Sequence, residues 1–225
     1  LEYCISLLAV NRNDEALPIA RGLAKRFPAD GNLARLLAIS LARTGDAVGL
    51  RELLGDMVAA APANLEARVA LARLAVQEGK AEEAQSLTDD ISRLPNGAAV
   101  ADELRGDAAL LARDPAKASA AYAAAFAREP TRELMLKLDG AERGAGQDKG
   151  RLATWLARHP DDAQVRALLA ARLQAGGDDT GAIAEFERVL SAAPDSPVVR
   201  NNLAWLYRKI GDGRALEMAR SAYEL

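Results

Sequence analysis

Few side chains in this 225-residue sequence are of the types that perform catalysis or bind metals. The sequence contains one histidine, His159, and one cysteine, Cys4. Because zinc sites in proteins use several histidine and cysteine ligands, neither the two-histidine helix motif nor a cysteine-pair site can form. A single cysteine also makes no disulfide within the chain. We therefore expect no metal site and no cofactor.

Nucleophilic catalysis is equally poorly supported. A serine or cysteine nucleophile would need His159 as its base, but His159 precedes Pro160 at a predicted helix end, where a cationic side chain interacts with the last carbonyl groups. Cys4 lies on the apolar face of the predicted first helix, which indicates a packed thiol. The acidic pairs Glu82–Glu83 and Asp89–Asp90 diverge around a helix axis, as solvated residues do. We predict no catalytic residues and no enzyme activity.

Composition restricts the class of partner and of fold. The 32 acidic and 29 basic residues give a net charge of −3, which leaves no basic surplus to bind a nucleic acid. No apolar run is long enough for a transmembrane helix, and no glycine loop of the phosphate-binding type occurs. Half of the residues are hydrophobic, and alanine, the strongest helix former, is abundant. These features predict an all-α protein whose partner is another protein or a peptide.

Proline and glycine recur along the sequence with one common period, which is about 34 residues. Gly45 and Gly79 are one period apart, and so are Gly177 and Gly211. Six of the nine prolines follow the same period to within a few positions: Pro28, Pro62, Pro95, Pro130, Pro160 and Pro194. Two residue types therefore share one period, which is typical of a repeat protein.

Each repeat contains two amphipathic segments. Ala182, Ile183 and Phe186 begin an apolar stripe with helical spacing that continues to Ala193. The segment Gly176–Asp179 precedes this helix. Its glycines are typical of the end of the previous helix, and its aspartates are typical of the N-cap of the next one. Ser196–Pro197 is typical of the start of the next helix, and Asn64 has the same role before Leu65.

This pattern resembles the tetratricopeptide repeat (TPR), a helix-turn-helix unit of about 34 residues. The repeat that ends at Pro194 has Leu169–Ala170 in its first helix, Gly177 in the turn, and Ala182 and Phe186 in its second helix. Equivalent residues in other repeats are Leu37, Ala38, Leu41 and Gly45; Leu71, Ala72, Gly79 and Ala84; Gly106, Ala118, Tyr122 and Ala125; Leu203, Ala204, Tyr207 and Gly211. The resemblance covers almost the whole chain.

The resemblance implies an all-α, right-handed α-α superhelix of about six to seven helix pairs, or about thirteen helices. We expect one TPR array over 1–225, divided into a partial unit 1–30, units 31–64, 65–97, 98–132, 133–162 and 163–196, and a truncated unit 197–225. Unit 133–162 is degenerate and glycine-rich, so we expect shortened helices there. The alternative for this unit is a linker between two domains.

TPR proteins usually bind an extended peptide or a partner helix in the concave groove lined by their first helices. Counting around these helices from the buried positions gives ten groove candidates: Arg35, Ile39, Val69, Arg73, Val76, Glu103, Asp107, Asn201, Trp205 and Arg208. Trp205 is the strongest candidate, because tryptophan and arginine dominate binding hot spots. The alternative is that Trp205 packs into a further repeat. The carboxylate clamp of the co-chaperones is not expected, because Ala167 and Ala171 occupy two of its positions.

A narrower resemblance lies in the last unit. Asn201–Tyr207 and Gly211–Ala219 are similar to the TPR lipoproteins of bacterial exopolysaccharide and PEP-CTERM/exosortase systems. This resemblance implies a scaffold of the bacterial envelope, located in the periplasm or at the outer membrane. The alternative is a regulatory or substrate-recruiting TPR subunit of an enzyme complex in the cytoplasm.

The ends of the sequence carry uncovered apolar stripes. Leu1 is not preceded by a methionine or a signal peptide, so we expect the sequence to be a piece of a longer protein. Apolar residues near the two ends are Tyr3, Ile5, Leu7 and Leu8, and Leu216, Ala219, Ala222 and Tyr223. We predict weak self-association through these stripes at high protein concentration.

Overall fold

The computed structural model describes residues 1–27 and 30–224. Within these residues the chain forms fourteen α-helices and no strand, one helix more than the sequence predicts. None of these helices is long and apolar enough to cross a membrane. Pro28, the first of the repeating prolines, lies outside the described residues. The helices are α1 (Glu2–Ala9), α2 (Asn13–Arg26), α3 (Gly31–Thr44), α4 (Ala47–Ala60), α5 (Leu65–Gln77), α6 (Ala81–Ser92), α7 (Ala98–Leu111), α8 (Pro115–Arg128), α9 (Arg132–Gly144), α10 (Arg151–Arg158), α11 (Ala163–Ala175), α12 (Asp179–Ala192), α13 (Pro197–Ile210) and α14 (Ala215–Tyr223).

The chain divides into two compact units, Leu1–Leu134 and Met135–Leu225. In the first unit α1 packs on α2, α3 on α4, α5 on α6 and α7 on α8, and each pair also contacts the next. In the second unit α11 packs on α12 and α13 on α14, and the two pairs meet through α12 and α13. The prediction of an all-α fold built from helix pairs is confirmed.

The predicted capping residues lie at the ends of these helices. Gly45 and Gly211 follow α3 and α13 with φ of 73° and 75°, a left-handed conformation that glycine adopts without strain. Asn64 accepts a hydrogen bond from the backbone N–H of Ala67 at 3.1 Å, and the Ser196 hydroxyl accepts one from Val199 at 3.4 Å. The turn and cap signals therefore set where these helices begin and end.

Small residues lie where helices come closest. Ala84 and Ala182 are buried, as expected at close helix contacts, and so are the aromatic residues Tyr122 and Phe186. A Cβ atom added to Gly106 in α7 would be 2.4 Å from the ring of Tyr122 in α8. Helices α7 and α8 can approach this closely because residue 106 has no side chain.

The glycine-rich segment shortens one helix but not the other. α10 has only 8 residues, as expected, whereas α9 continues for 13 residues through Gly140 to Gly144. The expectation of a shortened α9 is therefore wrong. Gly146 and Gly150 lie between the two helices with φ of 75° and 61°, so they form the turn instead.

Helix α9 also carries two buried carboxylates. Arg151 donates two hydrogen bonds to Glu142, at 3.0 and 2.9 Å, and Lys149 lies 3.2 Å from the same carboxylate. Asp139 contacts the guanidinium of Arg172 in α11. The hydrogen bonds from Arg151 lower the pKa of Glu142, although its burial acts in the opposite direction. Paired charges thus link α9, α10 and α11.

We predict that Glu142→Gln lowers the free energy of unfolding by about 3 kcal/mol at pH 7, because it leaves Arg151 without its buried anion. Since the folded pKa of Glu142 is depressed, its contribution is present above the ordinary carboxyl pKa of about 4.3 and is lost as the pH falls further. Urea unfolding from pH 7 to pH 3 measures the difference. Glu15→Gln, which breaks the exposed pair with Arg12, is the control and should change little. An equal effect of both substitutions would contradict this role of Glu142.

Candidate functional site

The ten groove candidates lie on the first helices of four pairs. The first unit contains seven of them, on α3, α5 and α7, and the second unit contains the other three, on α13. In the first unit Arg35 and Arg73 are exposed, and Ile39 is 41% exposed. Arg35 forms a salt bridge of 2.8 Å with Glu66 at the start of α5. Arg73 and Ile39 are therefore accessible, whereas Arg35 already links two neighbouring helix pairs.

Two candidates of α5 lie deeper than the sequence suggests. Val76 is only 8% exposed and packs in a core cluster with Ala75 and Ala84, so its assignment to an exposed groove is wrong. Val69 is half-buried against the core cluster that contains Ala72. Residues of both α6 and α7 belong to these two clusters, and counting residues around one helix does not show where the neighbouring helices lie.

The candidates of α7, Glu103 and Asp107, are half-buried, and Asp107 accepts a hydrogen bond within the chain. The hydroxyl group of Tyr122 donates a hydrogen bond of 2.7 Å to the carboxylate of Asp107. Burial raises the pKa of Tyr122, and the negative charges of Asp107 and Glu103 raise it further. Asp107 thus stabilises the contact between α7 and α8, and its additional role in partner binding stays a prediction.

The three candidates of α13 lie together at an open cleft in the second unit. Asn201, Trp205 and Arg208 follow one another at i, i+4 and i+7, and the opposite face of α13 is buried through Leu203 and Leu206. The cleft has a volume of about 630 Å³, and Trp205 is 50% exposed. The residues that line it are Gln174, Asn201, Asn202, Ala204, Trp205, Arg208, Ala215, Leu216 and Ala219.

The lining of this cleft combines three kinds of interaction. Side-chain amides of Gln174, Asn201 and Asn202 can each donate and accept hydrogen bonds, as a peptide backbone does. The ring of Trp205 offers an apolar surface, and Lys209 lies 5.2 Å from its centre on the ring face. The guanidinium of Arg208 can bind a carboxylate with two hydrogen bonds.

Two residues of the cleft, Gln174 and Asn202, are not among the ten groove candidates predicted from the sequence. Gln174 precedes Arg208 by one repeat period, so the period alone places the two at equivalent positions of α11 and α13. Asn202 is adjacent to Asn201 at the boundary between the exposed and the buried face, where it is half-buried. The period could have identified the first of these residues.

The two residues considered for catalysis, His159 and Cys4, are packed against other residues of the chain. His159 follows α10, and its ring stacks on Trp155 at a distance of 4.0 Å between ring centres. Cys4 is buried, and its thiol contacts the carbonyl oxygen of Ala16 at 3.5 Å, while desolvation raises its pKa. In the described part of the chain, no group of three or more histidine, cysteine or acidic residues is arranged to hold a metal ion.

We predict that Asp107→Ala lowers the free energy of unfolding by about 1 to 3 kcal/mol, because the buried hydroxyl group of Tyr122 loses a charged acceptor. Asp107→Asn keeps an acceptor oxygen and should cost less. The control is Arg73→Ala, at an exposed position of the same unit, which should leave the urea midpoint unchanged. If Asp107→Ala were also neutral, Asp107 would be a surface residue available to a partner.

Comparison with known proteins agrees with this architecture. Residues 51–106 match the sequence profile of a tetratricopeptide repeat. No curated protein sequence matches the chain.

Solved structures extend the similarity to the rest of the chain. A thermophilic TPR protein of Thermus thermophilus is 22% identical, with a TM-score of 0.54 over 92% of this chain and 97% of its own. A TPR protein of Parabacteroides merdae is 13% identical, with a TM-score of 0.59 over 99% and 89%. YrrB, described as a TPR protein with an unusual peptide-binding site, is 18% identical, with a TM-score of 0.52 over 76% and 91%. The chain therefore has the fold of tetratricopeptide-repeat proteins, and its residues 51–106 match the repeat in sequence as well.

Proposed function

We propose that this chain is a non-catalytic scaffold that binds a peptide or a partner protein. The cleft beside Trp205 is the main surface that contacts this ligand. The observation that carries the proposal is the half-exposed indole ring at the edge of an apolar, amide-lined cleft. An exposed indole ring keeps a large apolar surface in contact with water, which is unfavourable in the free protein. When a partner covers the ring, the burial of this surface contributes strongly to the binding free energy.

The surroundings of Trp205 support a polypeptide as the ligand. Amide side chains on both α11 and α13 match the hydrogen-bonding groups of a peptide backbone, and Arg208 supplies a single charged contact. TPR proteins are generally protein-binding scaffolds, and YrrB carries a peptide-binding site on the same fold. Arg73 and Ile39 provide a separate exposed surface in the first unit.

A selection from a random library of displayed peptides tests this proposal. We expect the chain to select peptides, and Trp205→Ala and Arg208→Ala each to weaken their binding by about 1 to 3 kcal/mol without changing the circular dichroism spectrum. Val198→Ala is the matched control, because Val198 is an exposed apolar residue of α13 that does not line the cleft. Arg73→Ala shows whether the first unit contributes. Failure to select any peptide, or equal binding by Trp205→Ala, would contradict the proposal.

We further propose that the scaffold belongs to a bacterial envelope assembly, in an exopolysaccharide or protein-sorting system. The similarity of Asn201–Tyr207 and Gly211–Ala219 to the TPR lipoproteins of those systems supports this placement. Fractionation of cells that produce the full-length protein should find it in the periplasm or with the outer membrane. Recovery from the cytoplasm would instead favour the alternative, a regulatory or substrate-recruiting subunit of an enzyme complex.

A further inference from the structure

One helix pair carries a charged residue at a position where the other pairs carry a small one. In each of the seven pairs a residue with positive φ follows the first helix, which allows the pairs to be aligned. Seven positions before this residue, the chain has Asp139 in the pair of α9 and α10. The other six pairs have Cys4, Ala38, Ala72, Gly106, Ala170 and Ala204. A larger polar side chain therefore replaces a small residue of the repeat in this pair.

The partner of Asp139 also departs from the repeat. Asp139 contacts the guanidinium of Arg172 in α11. Leu74 and Leu206 occupy the position equivalent to Arg172 in two other pairs, five residues before the residue with positive φ, and both are buried. Replacement of a buried ion pair by well-packed apolar residues is often neutral or stabilising. The repeat can therefore fold with alanine and leucine at these two positions, and the ion pair is not required for the fold.

The polar atoms of this ion pair are also incompletely satisfied. Asp139 is 2% exposed, but its Oδ2 atom accepts no hydrogen bond from a described residue. The buried Nε atom of Arg172 likewise donates no hydrogen bond to a described residue. Buried polar atoms without hydrogen bonds lower the stability of a folded chain. Such a cost, at two positions where the repeat accepts apolar residues, indicates a functional constraint.

Asp139 and Arg172 both line one cavity between α9, α10 and α11. The cavity has a volume of about 330 Å³, and Leu152, Leu169 and Leu173 form the apolar part of its wall. A single water molecule needs only about 15 Å³ of such space, so the cavity has room for a larger group. It shares no lining residue with the cleft beside Trp205. This cavity is therefore a second site, separate from that cleft.

Two further carboxylates give the cavity an excess of negative charge. Asp148 and Asp178 line the cavity and are exposed, and we call them the acidic rim. Each accepts a hydrogen bond from a backbone N–H group, at 3.0 and 2.9 Å, which fixes the side chain in place. Neither residue forms a salt bridge with another described residue, whereas Arg151, which also lines the cavity, is already paired with Glu142. The rim therefore favours a positively charged ligand.

The groups of the cavity restrict the ligand further. An anion would be repelled by Asp139 and by the acidic rim. A metal ion does not fit, because no three acidic, histidine or cysteine residues of the described chain are arranged to hold one. A lysine or arginine side chain supplies donors for Asp139 but no acceptor for the Nε atom of Arg172. The N-terminus of a polypeptide supplies both, because its ammonium group is followed by a carbonyl oxygen.

We propose that this cavity binds the free N-terminus of a polypeptide. The ammonium group donates hydrogen bonds to Asp139 and to the acidic rim, and the first carbonyl oxygen accepts one from the Nε atom of Arg172. The first side chain packs against Leu169 and Leu173, which favours an aliphatic residue. The inference goes beyond the proposed function, because it assigns a second site and a ligand group that the cleft beside Trp205 does not require.

A set of hexapeptides tests the inference. Each peptide has the sequence X-Ala-Gly-Ser-Gly-Lys, where X is each aliphatic amino acid in turn, and carries fluorescein on the lysine side chain. Every peptide is prepared with a free and with an acetylated N-terminus, and fluorescence anisotropy measures its binding to the whole chain. We expect the free peptides to bind with one peptide per chain. Acetylation should weaken binding by about tenfold or more, because it removes the positive charge.

Two variants of the chain connect this binding to the cavity. Asp139→Ala combined with Arg172→Leu introduces the residues that the repeat has elsewhere. This double variant should unfold at a urea concentration at least as high as the unchanged chain, and bind about tenfold more weakly or worse. Asp148→Asn removes one charge of the rim and should weaken binding about threefold at low salt. Asp195→Asn is the matched control, because Asp195 is exposed in the same unit and does not line the cavity.

Three results would overturn the inference. The first is that no free peptide binds more tightly than its acetylated form, since the cavity would then hold only water. The second is that the double variant binds the peptides as the unchanged chain does. The third is that Asp148→Asn and Asp195→Asn have the same effect, and this comparison decides alone if the double variant does not fold. Trp205→Ala should leave the binding of these peptides unchanged, so the inference and the proposed function can fail independently.

Discussion

Each helix pair in this chain has apolar side chains on two sides, and only neighbouring pairs can bury both. This constraint follows from the short period, because two helices of about fourteen residues enclose too little volume for a core of their own. The cluster that joins Phe186 of α12 to Leu203 and Tyr207 of α13 shows how it is met, since its members come from successive pairs. A side chain is buried or exposed according to what lies beside its pair. Ile183 of α12 demonstrates this, because it is buried in the cluster that α12 shares with α13.

The same constraint explains the buried charges of the second unit. Between α9, α10 and α11, ionic groups replace part of the apolar contact that other pairs use, and Glu142 and Asp139 are each matched by an arginine of a neighbouring helix. A buried ion pair is directional, so it requires a particular register of α9 against α10 and α11. The glycine turn between α9 and α10 permits this register, because Gly146 and Gly150 adopt left-handed conformations.

The sequence contains most of the information about local structure and less about lateral contacts. Gly45, Gly211, Asn64 and Ser196 were identified as stops and caps because capping depends on residues within a few positions in the sequence. Small and aromatic residues at the repeated positions were likewise placed in the core. The predictions of burial were wrong where a neighbouring helix determines whether a side chain is exposed.

Particular residues show the reason for these errors. Helical spacing predicts an exposed Val76, but Val76 packs with residues of α6 and α7. The position of Leu7 and Leu8 near the start of the sequence predicts that they are uncovered, but they pack with residues of α2 and α3. The position of Asp107 on α7 likewise does not reveal its hydrogen bond with the hydroxyl group of Tyr122, which is fifteen residues away in the sequence. The repeat period corrects part of this, since it relates Gln174 to Arg208 without any knowledge of packing.

These observations also indicate where binding can take place on such a chain. Its reactive side chains are used internally: Cys4 is packed, His159 stacks on Trp155, and the buried carboxylates are paired. What remains available to another molecule is surface, and most of the apolar surface of each pair is consumed by its neighbours. The cleft of α13 and α14 is different, because it combines exposed apolar residues, amides and the cation Arg208 within one open volume. The contact proposed for a partner at this cleft buries apolar side chains, as the contacts between successive pairs do, and it adds hydrogen bonds and one charge that the partner must match.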